Sequence, residues 1–262
     1  MEFTLGPRAI SAGYRLVGFD HIGSTNSEAM ARLRAGERGP LWFVTSEQTA
    51  GRGRRHRPWI APRGNLASSV LETLDVPAAE AATLGFAAGL ALAAALRAMA
   101  GSAAIGFSLK WPNDILAGGA KLAGILLEAE AVPEGGLAVV IGMGTNIVAA
   151  PEGTPVPATS LKALGLDVGA ERLFAALSDH WVEFYRVWDQ GRGFGEIRRH
   201  WLALAAGIGQ PVAVHTGHMT VSGIFETIDD IGCMIVRSAT GDRIPISAGD
   251  VHFGLAASAG AV

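Results

Sequence analysis

Cysteine is almost missing from this chain: Cys233 is the only one in 262 residues. No intrachain disulfide and no cysteine-built metal cluster can form, which agrees with a reducing, cytoplasmic setting. Lysine is nearly as scarce, with Lys110, Lys121 and Lys162 the only three among 21 basic residues. Charged residues make up 17% of the chain and leave a net charge of −3, which excludes a protein that coats nucleic acid with its whole surface. The N-terminal "MEFTLGPRAISAG" lacks a basic stretch followed by an apolar core, so no signal peptide is read there. Neither a G-x-S-x-G elbow nor a P-loop is present, and the seven histidines show no metal-ligand spacing. A membrane-length apolar run is also lacking. "AATLGFAAGLALAAAL" (81–96), between Glu80 and Arg97, is shorter than the ~18 to 20 residues a span needs. Its alanines point to a buried helix from near Pro77 to Gly101.

What the chain does have is apolar residues, 49% of the total, enough for a sizeable core. "YRLVGFD" (14–20), "LWFVTSEQ" (41–48) and "NLASSVLE" (65–72) read as strands. "STNSE" with Thr25 and Glu28 in capping-box spacing opens the helix "AMARLRAG". "FSLKWPNDIL" (107–116) is a strand running into a turn at Pro112, and "KLAGILLEAEA" (121–131) pairs with "LAVVIGMGTNI" as antiparallel strands. Two amphipathic helices, "ERLFAALSDHWVEFYRVWDQG" and "FGEIRRHWLALA", follow. From residue 210 short strands and tight turns predict a small β-barrel, with the domain boundary near 207–210, giving units 1–207 and 208–262. His215 and His218 are expected on a barrel turn, and Cys233 in an apolar strand as core packing.

Four arginines crowd "AGRGRRHRPW" (50–59), where Gly51 and Gly53 let the backbone bend close to a ligand. Guanidinium groups there can hold phosphate or carboxylate bidentately; a solvated loop or an RNA contact would use the same residues. In "KWPND" an ammonium, Lys110, stands near Asn113 and Asp114, a set suited to phosphate oxygens and Mg2+, or to an ordinary turn. Lys121 follows two glycines, and "GMGTN" ends a strand with Gly142, Gly144 and Asn146 but lacks a dinucleotide-binding fingerprint. "GSTN" (23–26) presents hydroxyls and an amide at a helix N-terminus, as a cap or for recognition.

In this order, "STN", "EQTAGRGRRHRPW", "KWPND", "AKLAGILLE" and "GMGTN" resemble the biotin protein ligase family, and "GIFETIDDIGCMIV…ISAGDV" looks like its C-terminal barrel. The resemblance implies an α+β fold: a class II aminoacyl-tRNA-synthetase-like mixed sheet with helices, plus a small SH3-like β-barrel. It implies that biotin and MgATP form biotinyl-5′-AMP, and that biotin then passes to a lysine of a biotin carboxyl carrier domain. Carried over by position, Ser24, Thr25, Asn26, Gln48, Gly51, Arg52, Gly53, Arg54, Lys121 and Gly124 would bind biotin. Arg55, Trp59, Lys110, Asn113 and Asn146 would bind the nucleotide, and Asp114 would take Mg2+, with no tightly bound metal otherwise. Arg54, Lys121 and Lys110 would be catalytic. The arginines are expected to tolerate one another because a phosphate sits among them. His56 stands where the family usually has glycine. The motifs begin almost at once, so a monofunctional enzyme without DNA or membrane binding, monomeric or homodimeric, is expected. A lipoate or octanoate ligase, an RNA-binding module and a biotin sensor are the rival readings.

Overall fold

The apolar run Leu41–Thr45 (β2) is buried along its whole length, which places it inside a sheet with both faces covered. In the computed structural model, which describes residues 2–253 apart from 134, 155 and 218, β2 lies between β1 (Arg15–Phe19) and β3 (Leu66–Leu74). The sheet continues through β7 (Leu137–Thr145), β6 (Ala120–Ala131), β5 (Asp114–Ala117) and β4 (Phe107–Lys110), seven strands in the order β1-β2-β3-β7-β6-β5-β4. Only the β1–β2 pair is parallel. The antiparallel β6–β7 pair matches the sequence expectation.

Side-chain alternation gives the two faces different partners. Trp42, Val44, Val70 and Ile141 join the core formed with α4 (Leu84–Ala100), α5 (Ala170–Trp188) and α6 (Phe194–Leu202). Leu41, Phe43, Leu71 and Val140 pack instead against Ala29, Met30 and Leu33 of α2 (Thr25–Arg34). Trp42 meets Phe174 and Trp181 of α5 edge-on at 5.4 and 6.3 Å, the geometry ring quadrupoles favour. A short α1 (Pro7–Ser11) rests on α5, where Asp179 accepts from the Arg8 and Ala9 amides.

The alanine-rich segment forms α3 (Ala78–Ala82) and α4, broken at Thr83, rather than one helix. Trp188 donates to Thr83 Oγ1 at 2.7 Å there. Among the described residues, 78–100 is the one helical stretch long and apolar enough to cross a membrane, and 72% of its apolar window is buried against the protein. The capping box does not form. Ser24 is the N-cap, accepting from the Ser27 amide at 3.3 Å, while Glu28 pairs with Arg32. "KWPND" is also finer-grained than expected. β4 stops at Lys110 and β5 starts at Asp114, so Lys110 and Asp114 face each other across a hairpin.

Five strands, β8 (Pro211–His215), β9 (Thr220–Ile228), β10 (Met234–Arg237), β11 (Arg243–Ile246) and β12 (Asp250–Phe253), form an antiparallel sheet in the order β11-β10-β9-β8-β12. His215 ends a strand instead of occupying a turn, and His218 lies outside the described residues. Cys233 is not in the strand core. It sits half-buried in the turn before β10, its amide donating to Asp229 Oδ1 at 2.8 Å.

Candidate active site

Beyond the residues covered by α2, the sheet face opposite α4 and α5 is floored by small residues. Gly124 of β6 faces Gly144 of β7, and Ser69 of β3 lies opposite Gly142 of β7. A Cβ on Gly142 would stand 2.2 Å from Asn26 Oδ1, and one on Gly144 2.4 Å from Trp59 Nε1. The glycines of "GMGTN" therefore let a carboxamide and an indole lie flat on the sheet. Above them opens a cleft of about 590 Å3, in the size range of small-molecule sites.

At one end the α2 N-terminus presents Ser24, Thr25 and Asn26, all buried. Gln48 Oε1 accepts from the Thr25 amide at 2.8 Å and its hydroxyl at 3.1 Å. Ser69 Oγ lies 2.7 Å from Thr25 Oγ1 and 2.6 Å from Asn26 Oδ1. Glu128 of β6 completes the group, accepting from Asn26 Nδ2 at 2.8 Å.

The arginine loop folds back as a narrow hairpin: the Gly53 amide donates to Arg57 O at 2.7 Å and Trp59 to Gly51 O at 2.9 Å. A Cβ at Gly51 would lie 2.3 Å from Trp59 O, so glycine there permits the close approach. Arg55 and His56 both take left-handed backbone angles, φ 54 and 58. His56 thus holds, with a side chain, a conformation that glycine adopts freely. The expectation that phosphate alone reconciles the arginines is corrected. Arg52 pairs with Glu128 at 2.9 Å, Arg55 and Arg57 with Asp250 of β12 at 2.8 and 2.5 Å, and Arg54 donates to Asn113 Oδ1 at 3.1 Å. Burial opposes ionisation of Asp250, yet Arg57, Arg55 and Arg54 hold its pKa below the usual carboxylate value.

Cations gather at the other end. Lys121 Nζ lies 2.6 Å from Asp114 Oδ1 and 5.5 Å from the Trp59 ring centroid. Lys110 is only 7% exposed; desolvation, with Lys121 nearby, lowers its pKa against the pull of Asp114 and Asp250. Desolvation also lowers that of Arg54. Cations held this way are poised to gain from an anion that replaces their lost water. Asn146 donates to Thr159 O at 3.1 Å, and the Lys121 amide donates to Pro157 O at 2.7 Å, so a loop from Val156 to Leu161 is stitched beside the lysine. Trp59 Nε1 and Asn146 Oδ1 are buried at the cleft without hydrogen-bond partners, as expected of groups that await a ligand.

Most of the predicted residues line this one cleft; Gly51 and Arg55 support it from the loop. Asn113 differs in kind. Its amide donates to Ile125 O at 2.7 Å while its oxygen receives Arg54, so the carboxamide is spent on holding the arginine. Among the described residues no group of three or more His, Cys, Asp or Glu could cage a metal. A Mg2+ carried on phosphates needs only one or two carboxylates, and Asp114 alone fits that demand once Lys121 turns to the ligand. The sequence reading missed Glu128, although it ends the quoted "AKLAGILLE", and it missed the C-terminal wall, Gly249, Asp250, Val251 and His252. "ISAGDV" held that signal but was read as barrel alone.

Residues 21–146 match the model of the biotin/lipoate A/B protein ligase family, and 207–254 that of the biotin protein ligase C-terminal domain. The biotin–[acetyl-CoA-carboxylase] ligase of Paracoccus denitrificans is 40% identical over 237 residues, covering 88% of this chain and 97% of that one. The chain belongs to the biotin protein ligase family. The Mycobacterium tuberculosis ligase of the same description is 36% identical, covering 95% of this chain and 94% of that one. Biotin protein ligase from Aquifex aeolicus, solved in complex with biotin and ATP, superposes with a TM-score of 0.76 at 23% identity, over 92% of this chain and 99% of that one. The α+β ligase fold implied by the motifs, with its small C-terminal β domain, is borne out.

Proposed function

We propose that this protein is a biotin–[biotin carboxyl-carrier protein] ligase, and that its cleft holds biotin at the α2 end and ATP at the lysine end. A biotin carboxylate oxygen attacks the α-phosphorus, the bond to the β-phosphate bridging oxygen breaks, and pyrophosphate leaves. A lysine amine of a carboxylase carrier domain then attacks the acyl carbon, and AMP departs. One observation carries the reading: polar groups suited to a neutral heterocycle and a cluster of desolvated cations share one cleft, end to end.

The chemistry follows from that arrangement. Attack of a carboxylate on a polyphosphate brings like charges together, and fixed cations lower that barrier most. Lys121, Lys110 and Arg54 supply them, so we assign these three the catalytic work. Asp114 would hold the Mg2+ that comes with ATP, and the ion would supply charge neutralisation on the phosphates. Trp59 covers the sheet floor beside Lys121, where it would exclude water from the mixed anhydride. Gln48, Thr25 and Ser24 orient the ureido ring, and end-to-end binding converts the first step into a reaction between held partners.

ATP–pyrophosphate exchange by the purified protein, with biotin, lipoate, octanoate or no acid, tests the reading. Exchange that requires biotin is the expected result. Exchange with lipoate or octanoate in its place would move the substrate class, and none with any acid would remove the activity.

A further inference from the structure

Glu128 does not line the cleft, yet it joins the cleft's α2 end to the arginine loop. Arg52 Nη2 donates to its two oxygens at 3.0 and 2.9 Å, and Asn26 Nδ2 donates at 2.8 Å. The two donors come from separate elements: Arg52 from the loop and Asn26 from α2, 76 and 102 residues away in sequence. A carboxylate beside a guanidinium accepts and does not donate. With the Leu126 carbonyl, which the same Nδ2 meets at a longer 3.4 Å, it sets which way the Asn26 carboxamide faces: Nδ2 towards Glu128 and Oδ1 towards Ser69, at 2.6 Å.

That choice propagates. Ser69 carries one hydroxyl hydrogen and gives it to Asn26 Oδ1. Gln48 Oε1 keeps the Thr25 backbone N–H at 2.8 Å. The Thr25 hydroxyl hydrogen can therefore leave its longer 3.1 Å bond to Gln48 Oε1 and turn to Ser69, 2.7 Å away, once Ser69 has given its own hydrogen to Asn26. The run Thr25→Ser69→Asn26→Glu128 then points one way, and Thr25 Oγ1 keeps a lone pair for the cleft. A ligand with a ring N–H meets an acceptor there. With the carboxamide reversed, the same positions would present a hydroxyl donor.

We infer that Glu128 is a positioning residue that sets the donor–acceptor polarity of the Thr25–Ser69–Asn26 relay and fastens Arg52 of the loop to it, so that an N–H-bearing heterocycle is selected. The inference rests on the biotin-ligase reading, which supplies the ureido N–H. Hydrogen bonds to a charged group are the stronger kind, so losing this one should be visible in affinity for the acid and not for the nucleotide.

Biotin-dependent pyrophosphate exchange measures both constants. In Glu128→Ala and in Asn26→Asp, which sets two carboxylates against each other, KM for biotin should rise at least about tenfold while KM for ATP stays within about twofold. Adding Glu128→Gln to Asn26→Asp restores a donor–acceptor pair with the order reversed and leaves Ser69 an acceptor, so the double variant should recover most of the lost affinity. A merely structural role predicts no such rescue. Glu128→Ala with a wild-type KM for biotin, or a double variant no better than Asn26→Asp alone, overturns the inference. Should Glu128→Ala not fold, the comparison of Asn26→Asp with the double variant decides. No biotin-dependent exchange by the wild-type protein would instead sink the functional reading, and this inference with it.

Discussion

Strand β3 sends Val70, Glu72 and Leu74 towards the helices α4 and α5, and Ala67, Ser69 and Leu71 towards the other face of the sheet. The same alternation gives Met143 to one side and Gly142 and Gly144 to the other. On the helical face large side chains fill the space: Trp42, Trp181 and Phe174 are fully buried. On the cleft face small residues leave it empty, and polar groups from α2 and the loop lean over it. One set of strands thus separates stability from function by residue parity. Changes on the helical face should cost folding energy and spare turnover per folded molecule, and changes on the cleft face should do the reverse.

The hardest test of that separation is Trp42→Ala. Removing a buried indole that meets two aromatic neighbours should lower unfolding free energy by about 3–5 kcal/mol. Denaturant titration reads the loss, and exchange kinetics corrected for the folded fraction should match wild type. If kcat falls with the midpoint, the two faces are coupled and the parity argument fails.

Lys121→Ala is its counterpart on the cleft face. Adenylate formation should drop about 10^2–10^3-fold, the scale of losing one preorganised charge partner of a transition state. ATP binding should change far less, because Lys110 and Arg54 remain, and the unfolding midpoint should barely move. A variant that forms adenylate at the wild-type rate would strip Lys121 of its assigned role.

Gly142→Ala comes next in size. It adds one methyl group at a site where the Cβ lies 2.2 Å from Asn26 Oδ1, so Asn26 must leave its place between Ser69 and Glu128. KM for biotin should rise by roughly tenfold or more, with a smaller stability loss than Trp42→Ala. Unchanged biotin affinity would show that the floor is softer than its packing implies.

The same contrast explains what could be read from the sequence. Lys110, Lys121 and Asn26 were legible because each sits in a short motif whose neighbours fix its direction. The strands were legible for a similar reason, since burial on both faces leaves an apolar signature such as "LWFV". The partners of the arginines were not legible. Arg52 meets Glu128 across 76 residues and Arg55 meets Asp250 across 195, and no local spacing encodes such a meeting. An excess of arginine in one loop showed that counter-charge was needed, without showing that the protein supplies it. Capping failed by one residue for another reason. Thr25 and Ser24 have the same chemistry, and the extended backbone of Ser24, φ −156 and ψ 129, decides which of them caps.

The smallest predicted effect lies on the helical face, where a buried carboxyl group breaks the apolar rule. Glu72 is buried behind β3, accepting from Tyr14 OH at 2.6 Å and Trp181 Nε1 at 3.2 Å. Burial raises its pKa from 4.5 to about 7, outweighing the hydrogen bonds from Tyr14, Trp181 and Tyr185. The folded state therefore binds a proton that the unfolded chain has already released over this interval. Its contribution to stability is complete below the unfolded value and is lost as pH rises through 7, the reverse of a salt-bridged carboxylate. Between about pH 6 and pH 8 the loss should reach roughly 1 kcal/mol. Glu72→Gln keeps an acceptor for Tyr14 and Trp181 and cannot ionise, so its unfolding free energy should lack that slope while its exchange rate stays at the wild-type level. Parallel pH profiles for the two proteins would mean that the Glu72 carboxylate stays ionised in the fold, and that even the packed face tolerates a charge.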